Sequence, residues 1–315
     1  MRAALDAVIE APIVTSFTRI GHTLRRRLWR WRDLDSYDLG GRVVVVTGPT
    51  SGLGHAAVVR FAALGAEVVL VARNRDKADA VHADLERAGA TVSVVLADMG
   101  DLDQIRAAAD SIATRHERID VLAHNAGALL TDRDTTAQGL ETTVAVHVVG
   151  PFLLTGLLLD RLVGGRVITM SSGGMYTAGL TVGGLEMSDT DYRGTTQYAR
   201  AKRAQVVLNE MWAQRVPATR FHAMHPGWAD TPGVAASLPM FGRVLRPLLR
   251  SPDQGADTMV WLGADDGPPD RTSGRFWLDR RQRSTHRLPS TRRTDTPERR
   301  QRLWEWASQK AGWSI

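Results

Sequence analysis

Tyr198-Ala199-Arg200-Ala201-Lys202 sets a phenol and an ammonium four residues apart, on one face of any helix that carries them. A free phenol titrates near pH 10, too high for efficient base work at neutral pH. A neighbouring ammonium favours the phenolate and lowers that value. Lysine is rare in this chain: only Lys77, Lys202 and Lys310 occur among 40 basic residues. A lysine at this spacing is therefore informative, since Arg would bring charge with a different reach and fork geometry. Ser171 and Ser172 follow an apolar run at 166–170, where a hydroxyl can hydrogen-bond a substrate carbonyl. Ser172 is the leading candidate and Ser171 its competitor.

A second set concerns phosphate. Thr47-Gly48-Pro49-Thr50-Ser51-Gly52-Leu53-Gly54 lies between an apolar β-branched run and a helical pattern. Glycines there allow a sharp turn and let backbone N–H groups approach a pyrophosphate, with the helix N-terminus adding positive potential. Nineteen residues after Gly54, Ala72-Arg73 ends the next apolar run where an acid would bind a ribose 2′-hydroxyl. An Arg at that place pairs with a 2′-phosphate, which predicts NADP(H). Asp98 follows the third run and is placed to contact adenine; Asn125-Ala126-Gly127 follows the fourth, where small residues admit a nicotinamide ribose.

These residues need a frame. Apolar strand patterns at 42–47, 67–72, 91–97, 119–124, 166–170, 220–224 and 274–278 alternate with helical patterns at 52–64, 76–88, 102–115, 140–162, 196–213 and 253–262. That alternation predicts a doubly wound, Rossmann-type α/β fold: a parallel sheet of about seven strands with helices on both faces. The expected organisation is a basic amphipathic extension over 1–39, an α/β domain over 40–280 and a basic tail over 281–315. In the extension, Phe17, Ile20, Leu24, Leu28 and Trp31 recur at helical spacing among Arg19, Arg25, Arg26, Arg27, Arg30 and Arg32. Such a helix packs on its own domain or lies on an anionic membrane surface. Residues 280–295 read as extended, with a helix starting at Thr296-Pro297-Glu298. Trp304, Trp306 and Trp313 then serve either docking or core packing.

Composition narrows the function. Among 315 residues there is no cysteine, which excludes disulfides, thiolate metal sites and a cysteine nucleophile. Net charge is +6, but residues 275–315 hold 11 Lys and Arg against 4 Asp and Glu, so the basicity belongs to the tail. It does not describe a nucleic-acid-binding domain, and no aromatic stacking platform for nucleic acid is evident. No run reaches the roughly 18 apolar residues of a membrane helix. Asp6 and Glu10 interrupt the first apolar stretch, so no cleavable signal peptide is expected and the expected compartment is the cytoplasm. No His, Asp and Glu cluster has metal-ligand spacing, and His222 and His225 read as structural. After Gly227 comes a segment with Val234, Leu238, Met240, Phe241, Val244, Leu245 and Leu248. Its apolar content predicts either a lid over a lipophilic carbonyl or alcohol, or a self-packing helical hairpin.

Taken in order, Thr-Gly-x-x-x-Gly-x-Gly, Asn-Ala-Gly, strand-end Ser and Tyr-x-x-x-Lys resemble the short-chain dehydrogenase/reductases over roughly residues 41–280. The segments from Arg166 to Met175, from Tyr198 to Ala213 and from His225 to Val234 look most like the subgroup called dehydrogenase/reductase family member twelve, similar to the retinol-dehydrogenase-like branch. The resemblance implies that Gly48, Gly52 and Gly54, with Thr50, Ser51 and Leu53, hold the pyrophosphate of NADP(H). It implies that Arg73 selects the cofactor, that Asp98, Asn125, Ala126 and Gly127 line it, and that Pro226, Gly227 and Thr231 surround the carboxamide. Ser172 would polarise the substrate oxygen, Tyr198 move the proton, and Lys202 assist Tyr198 and anchor the ribose. Homo-oligomers are common in the family.

Two positions depart from it. His124 replaces the first residue of Asn-Asn-Ala-Gly, and in Val146-His147-Val148-Val149-Gly150-Pro151-Phe152 His147 stands near the family's catalytic asparagine. A neutral imidazole both donates and accepts hydrogen bonds and can take the amide's place. The other reading is weakened catalysis, with the chain an NADP(H)-binding sensor or docking protein.

Overall fold

The computed structural model describes residues 1–233, 240, 243 and 245–315. Eight strands form one sheet in the order β3-β2-β1-β4-β5-β6-β7-β8. They are β1 (Val43–Thr47), β2 (Glu67–Ala72), β3 (Val92–Leu96), β4 (Val121–His124), β5 (Arg166–Met170), β6 (Arg220–Met224), β7 (Arg275–Leu278) and β8 (Arg281–Gln282). The first seven pair in parallel, and β8 alone runs antiparallel, returning from β7. The sheet therefore has one strand more than expected. The eighth is two residues long and mostly polar, too short to leave an apolar period in the sequence.

Three helices precede the sheet: α1 (Arg2–Glu10), α2 (Ile13–Phe17) and α3 (Arg19–Trp29). Those that cover it are α4 (Gly52–Ala63), α5 (Arg75–Arg87), α6 (Leu102–Arg115), α7 (Thr142–Val144), α8 (Gly150–Leu157), α9 (Gly194–Arg215) and α10 (Pro252–Ala264). Two more, α11 (Pro289–Thr294) and α12 (Pro297–Ala311), close the chain. β1 shows why both faces are covered. Val45 belongs to the core under α6, α8 and α9, whereas Val44 and Val46 belong to the core under α4 and α10. All three are fully buried, as a central parallel strand requires. Local signals set the helix starts. Asn74 accepts from Lys77 N–H, Asp101 accepts from Asp103 and Gln104 N–H, and Ser251 with Gln254 forms a reciprocal capping box ahead of Pro252.

The expected single helix over 140–162 is broken. A π-turn at Ala145–Val149 separates α7 from α8, and a 3-10 turn at Leu159–Arg161 follows. The tail also departs from expectation. Residues 281–295 are not extended throughout, because β8 and α11 occupy part of them. Thr296 caps α12 as predicted, accepting from Arg299 N–H with Pro297 at the first helical position. Trp304 is buried against Trp212 and Phe152, and Trp313 joins them, which is core packing rather than docking.

The first 30 residues correct the reading of one amphipathic helix. Pro12 ends α1 and starts α2, and α3 crosses back over both. The face that α3 buries consists of Gly21, His22 and Arg25, while Ile20 and Leu24 point outward. The reason is charge. Arg25 is wholly buried and bonds Asp6 at 2.9 Å, Glu10 at 2.6 Å and Asp279 at 2.7 Å. Asp279, just past β7, also holds Arg250 at 2.6 Å. Burial alone would raise the Asp279 carboxyl; Arg250 and then Arg25 overcome it and bring its pKa down to about 2. A depressed carboxylate contributes stability that is present above its unfolded value of 3.8 and fades as pH falls toward 2.

Removing that carboxylate leaves buried Arg250 without an ion-pair partner and Arg25 with Asp6 and Glu10 alone. Asp279→Ala is expected to cost about 3–5 kcal/mol. Urea titration at pH 7 measures it, and a loss below about 1 kcal/mol would place the ion pairs among the energetically neutral ones.

Candidate active site

The parallel strands end at one edge, and the turns that follow them collect the candidate residues. Gly48 follows β1, Arg73 follows β2, Asn125 follows β4, Ser172 follows β5 and Pro226 follows β6. β1 and β4 are neighbours although the chain order jumps there, the place where crevices form in open α/β sheets. Asn125 ties the two ends together. Its amide donates to the carbonyls of Thr47 at 3.1 Å and Gly48 at 2.9 Å. Thr47 answers with its hydroxyl, which accepts from the N–H groups of Asn125 and Ala126. Asn125 is the expected cofactor contact; Thr47 opens the glycine motif in the sequence, but its role in tying β1 to β4 shows only here.

The turn from Gly48 to Gly54 opens α4, and Ser51 caps that helix without a side-chain hydrogen bond. Gly54 must be glycine: a Cβ there would lie 2.1 Å from the Gly48 carbonyl and 2.3 Å from the Asn125 amide. Thr231 lies beside the turn, its Cβ 3.3 Å from where a Cβ on Gly52 would stand. Uncapped N–H groups at a 12-residue helix, a glycine turn folded against it, and no carboxylate in the turn fit a dinucleotide pyrophosphate. Arg73 is exposed, and its guanidinium stands 3.8 Å from the Asp98 carboxylate. Asp98 in turn accepts from Gly100 N–H.

The reactive set sits across the crevice. Ser172 faces the Tyr198 phenol closely enough to oppose the rise of its pKa, and its Oγ accepts from Gly174 N–H at 3.2 Å. Ser171 is turned away, its Oγ donating to the Lys202 carbonyl at 3.1 Å. The two serines are thereby separated by direction. Lys202 is buried and donates from Nζ to the Met170 carbonyl at 2.7 Å, with Nζ 5.3 Å from the centre of the Tyr198 ring. Burial brings the Lys202 ammonium down to about 7. Tyr198 keeps part of its side chain exposed, yet burial of the phenol pushes it up to about 12, with Ser172 opposing. Burial penalises the charged form of each.

His147 lies on the π-turn, its ring edge-on to Tyr198 at 5.3 Å. Its Nε2 is 2.8 Å from the Ala128 carbonyl. Burial, and then the Lys202 ammonium, hold the imidazole well below its usual 6.5, so it is neutral. Gly127 makes room for it: a Cβ there would lie 2.2 Å from His147 Cε1. On the far side, Gln205 donates to the His147 carbonyl at 2.7 Å. Gln205 was absent from the candidates, although it lies seven residues after Tyr198 and so on the same helical face.

The loop after β6 is fastened from outside. His225 Nδ1 lies within hydrogen-bond distance of the N–H groups of Gly173 and Gly227, and Phe17 packs edge-on to its ring at 4.3 Å. Arg250 Nε donates to the Phe17 carbonyl, and Arg250 Nη1 to the Pro226 carbonyl. His222 accepts from the Trp277 indole within the sheet. Both histidines are buried, consistent with structural parts. Val234, Leu238, Phe241 and Val244 lie outside the described residues; Met240 is exposed, and Leu245 and Leu248 are half-buried. No group of His, Asp and Glu among the described residues could hold a metal ion.

A family model described as short chain dehydrogenase matches residues 42–240. The chain belongs to that family. Short-chain dehydrogenases are NAD(P)-binding oxidoreductases, and their sheet and crevice are those seen here. Among relatives, the dehydrogenase/reductase SDR family member 12 of Homo sapiens is 40% identical over 276 residues, covering 86% of each chain. Retinol dehydrogenase 12 of Bos taurus is 30% identical over 283 residues, covering 87% of each. Among solved structures, a blue fluorescent protein from a metagenomic library in complex with NADPH superposes with a TM-score of 0.63 at 24% identity. That match covers 81% of this chain and 99% of the other.

For this short-chain dehydrogenase, Gly127→Ala forces a methyl group onto the His147 ring. The expected cost is about 1–3 kcal/mol. His147→Ala in the same chain should recover most of it, and a thermal double-mutant cycle that finds no coupling would show that the ring moves freely.

Proposed function

We propose that the protein is an NADP(H)-dependent oxidoreductase that interconverts a carbonyl and an alcohol by hydride transfer on a lipophilic substrate. The observation that carries this reading is the convergence of Ser172, Tyr198 and Lys202 opposite the glycine turn at the switch point of the sheet. The nicotinamide supplies or takes the hydride. The chain's own residues do the rest. Gly48, Gly52 and Gly54, with Thr50, Ser51 and Leu53, take the pyrophosphate; Asp98, Asn125, Ala126, Gly127, Pro226, Gly227 and Thr231 line the remainder. In the reducing direction Ser172 polarises the carbonyl oxygen, Tyr198 donates the proton to it, and Lys202 holds the ribose and tunes Tyr198. His147 keeps the Tyr198 ring in place.

Preference for the phosphorylated cofactor is supported by Ala72 at the end of β2, where an acid would bind a ribose 2′-hydroxyl, and by the exposed Arg73, whose contact with Asp98 at 3.8 Å is long enough to yield to a phosphate. A lipophilic substrate is supported by the apolar residues after Gly227 and by the likeness to a retinol dehydrogenase. It is supported also by Leu5, Val8, Ile13, Val14, Ile20 and Leu24, which are exposed on α1–α3 beside Arg19, Arg26, Arg27 and Arg30. These side chains favour peripheral contact of a cytoplasmic protein with an anionic membrane surface. No helix among the described residues is long and apolar enough to cross a membrane.

Fluorescence titration with NADPH and NADH is expected to show NADPH bound about tenfold tighter, and Arg73→Ala to remove the difference. Tyr198→Phe should abolish turnover and leave NADPH affinity nearly intact. Unchanged turnover would refute the catalytic assignment and leave the binding-only reading. Co-sedimentation with anionic vesicles should retain the protein and Leu24→Glu release it; equal recovery on neutral vesicles would remove the membrane contact.

A further inference from the structure

Both departures from the family pattern, His124 and His147, line one internal cavity of about 30 Å³ between β4, β5, α8 and α9. Gln205, Asn209 and Thr155 line it too, against an apolar wall that includes Trp212. Four of these residues carry buried polar atoms with no protein hydrogen-bond partner: His124 Nδ1, His147 Nδ1, Gln205 Oε1, and both Nδ2 and Oδ1 of Asn209. Each of these side chains is at most 5% exposed, so bulk solvent does not satisfy them. Buried polar groups in folded proteins are rarely left this way, and five on side chains that line one cavity call for a shared partner.

The chemistry of the five atoms selects that partner. Asn209 needs a donor at Oδ1 and acceptors at Nδ2, and Gln205 needs a donor at Oε1. A cation would serve the oxygens and leave the amide nitrogen orphaned; an anion would do the reverse. Water does both. A volume of 30 Å³ admits about two water molecules.

Gln205 also links the cavity to the reactive set. Its Nε2 donates to the His147 carbonyl on the π-turn at 2.7 Å. An amide with only one end engaged can flip and set oxygen against oxygen; a water donating to Oε1 forbids the flip. Tyr198, Lys202, Gln205 and Asn209 fall at i, i+4, i+7 and i+11 of α9, a single stripe running from the reactive pair into the cavity.

We propose that this cavity is a hydration site, holding about two ordered waters on His124, Gln205 and Asn209, and that the filled site fixes His147 beside Tyr198. Gln205 and Asn209 are then positioning residues for proton transfer at Tyr198. The catalytic half of this proposal rests on the oxidoreductase reading above; the hydration half does not.

Crystal structures at high resolution of the full chain and of Asn209→Leu decide the first half without reference to activity. The expected result is water density within hydrogen-bond distance of both amides, lost in the isosteric variant. A dry cavity, or a bound ion, overturns it. With NADPH and a lipophilic aldehyde, Asn209→Leu is expected to lower kcat about tenfold with KM and NADPH affinity within about twofold. The pH profile of kcat should shift with it. Asn209→Ser, which keeps a hydroxyl for the water, should recover to within about threefold of the original kcat and serves if the leucine variant does not fold. An unchanged kcat and pH profile in a cavity shown to have lost its water overturns the positioning role.

Discussion

The carboxylate of Asp279 is the point on which separate parts of this molecule converge. It sits wholly buried between the guanidiniums of Arg25, from the first 30 residues, and Arg250, from the chain leading into α10. Charges taken out of water are tolerated only when each finds a partner and its remaining protons find acceptors. Here they do. Arg25 also reaches Asp6, Glu10 and the Ser16 carbonyl, and Arg250 reaches the carbonyls of Ser16, Phe17 and Pro226. The same guanidinium that neutralises Asp279 therefore also holds the loop after β6 and the end of α2. Asp6 is shared onward with Arg283, and Glu10 with Arg287, so the chain after β8 is drawn into the network. Removing Asp279 would leave Arg250 unpaired in a medium that cannot screen it, whereas the other acids are each shared by more than one Arg.

Most of the sheet was legible from the residues. β2, β5, β6 and α6 fall at the expected bounds, because a buried parallel strand is a continuous apolar run and α6 is capped by Asp101 and ended by His116. What was not legible depends on partners distant in the chain. The apolar spacing of Ile20 and Leu24 pointed to an inward face, yet the inward face belongs to Arg25, because its acids come from residues 6, 10 and 279. The π-turn at Ala145–Val149 left no mark, since one inserted residue in a helix does not disturb the run of valines around it. Trp304 and Trp313 in an Arg-rich tail left docking and core packing both open; the gap beside Phe152 and Trp212 decides for packing.

In the candidate site, Tyr198 and Lys202 share one face of α9 as their spacing predicts, and the glycines form the turn that opens α4. The direction of each hydroxyl was beyond sequence: Ser171 and Ser172 are adjacent and alike, and only the strand's alternation sends one to the Lys202 carbonyl and the other to the phenol. His147 is a case of mutual fit. Its ring occupies the space that Gly127 leaves, and its carbonyl is met by Gln205, so an imidazole is accommodated on both sides rather than merely tolerated.

The bond from Trp228 N–H to the Phe17 carbonyl, at 2.7 Å, has a directional consequence. With Arg250 gripping the same carbonyl, the end of α2 is fastened directly to the loop after β6. Together with the buried ion pairs of Arg25, that contact mounts the leading helices on the domain. A surface that captured Leu5, Val8 and Leu24 would thereby set the heading of the whole molecule. The mouth of the crevice would then meet its substrate at one fixed angle, sampling a plane instead of a volume.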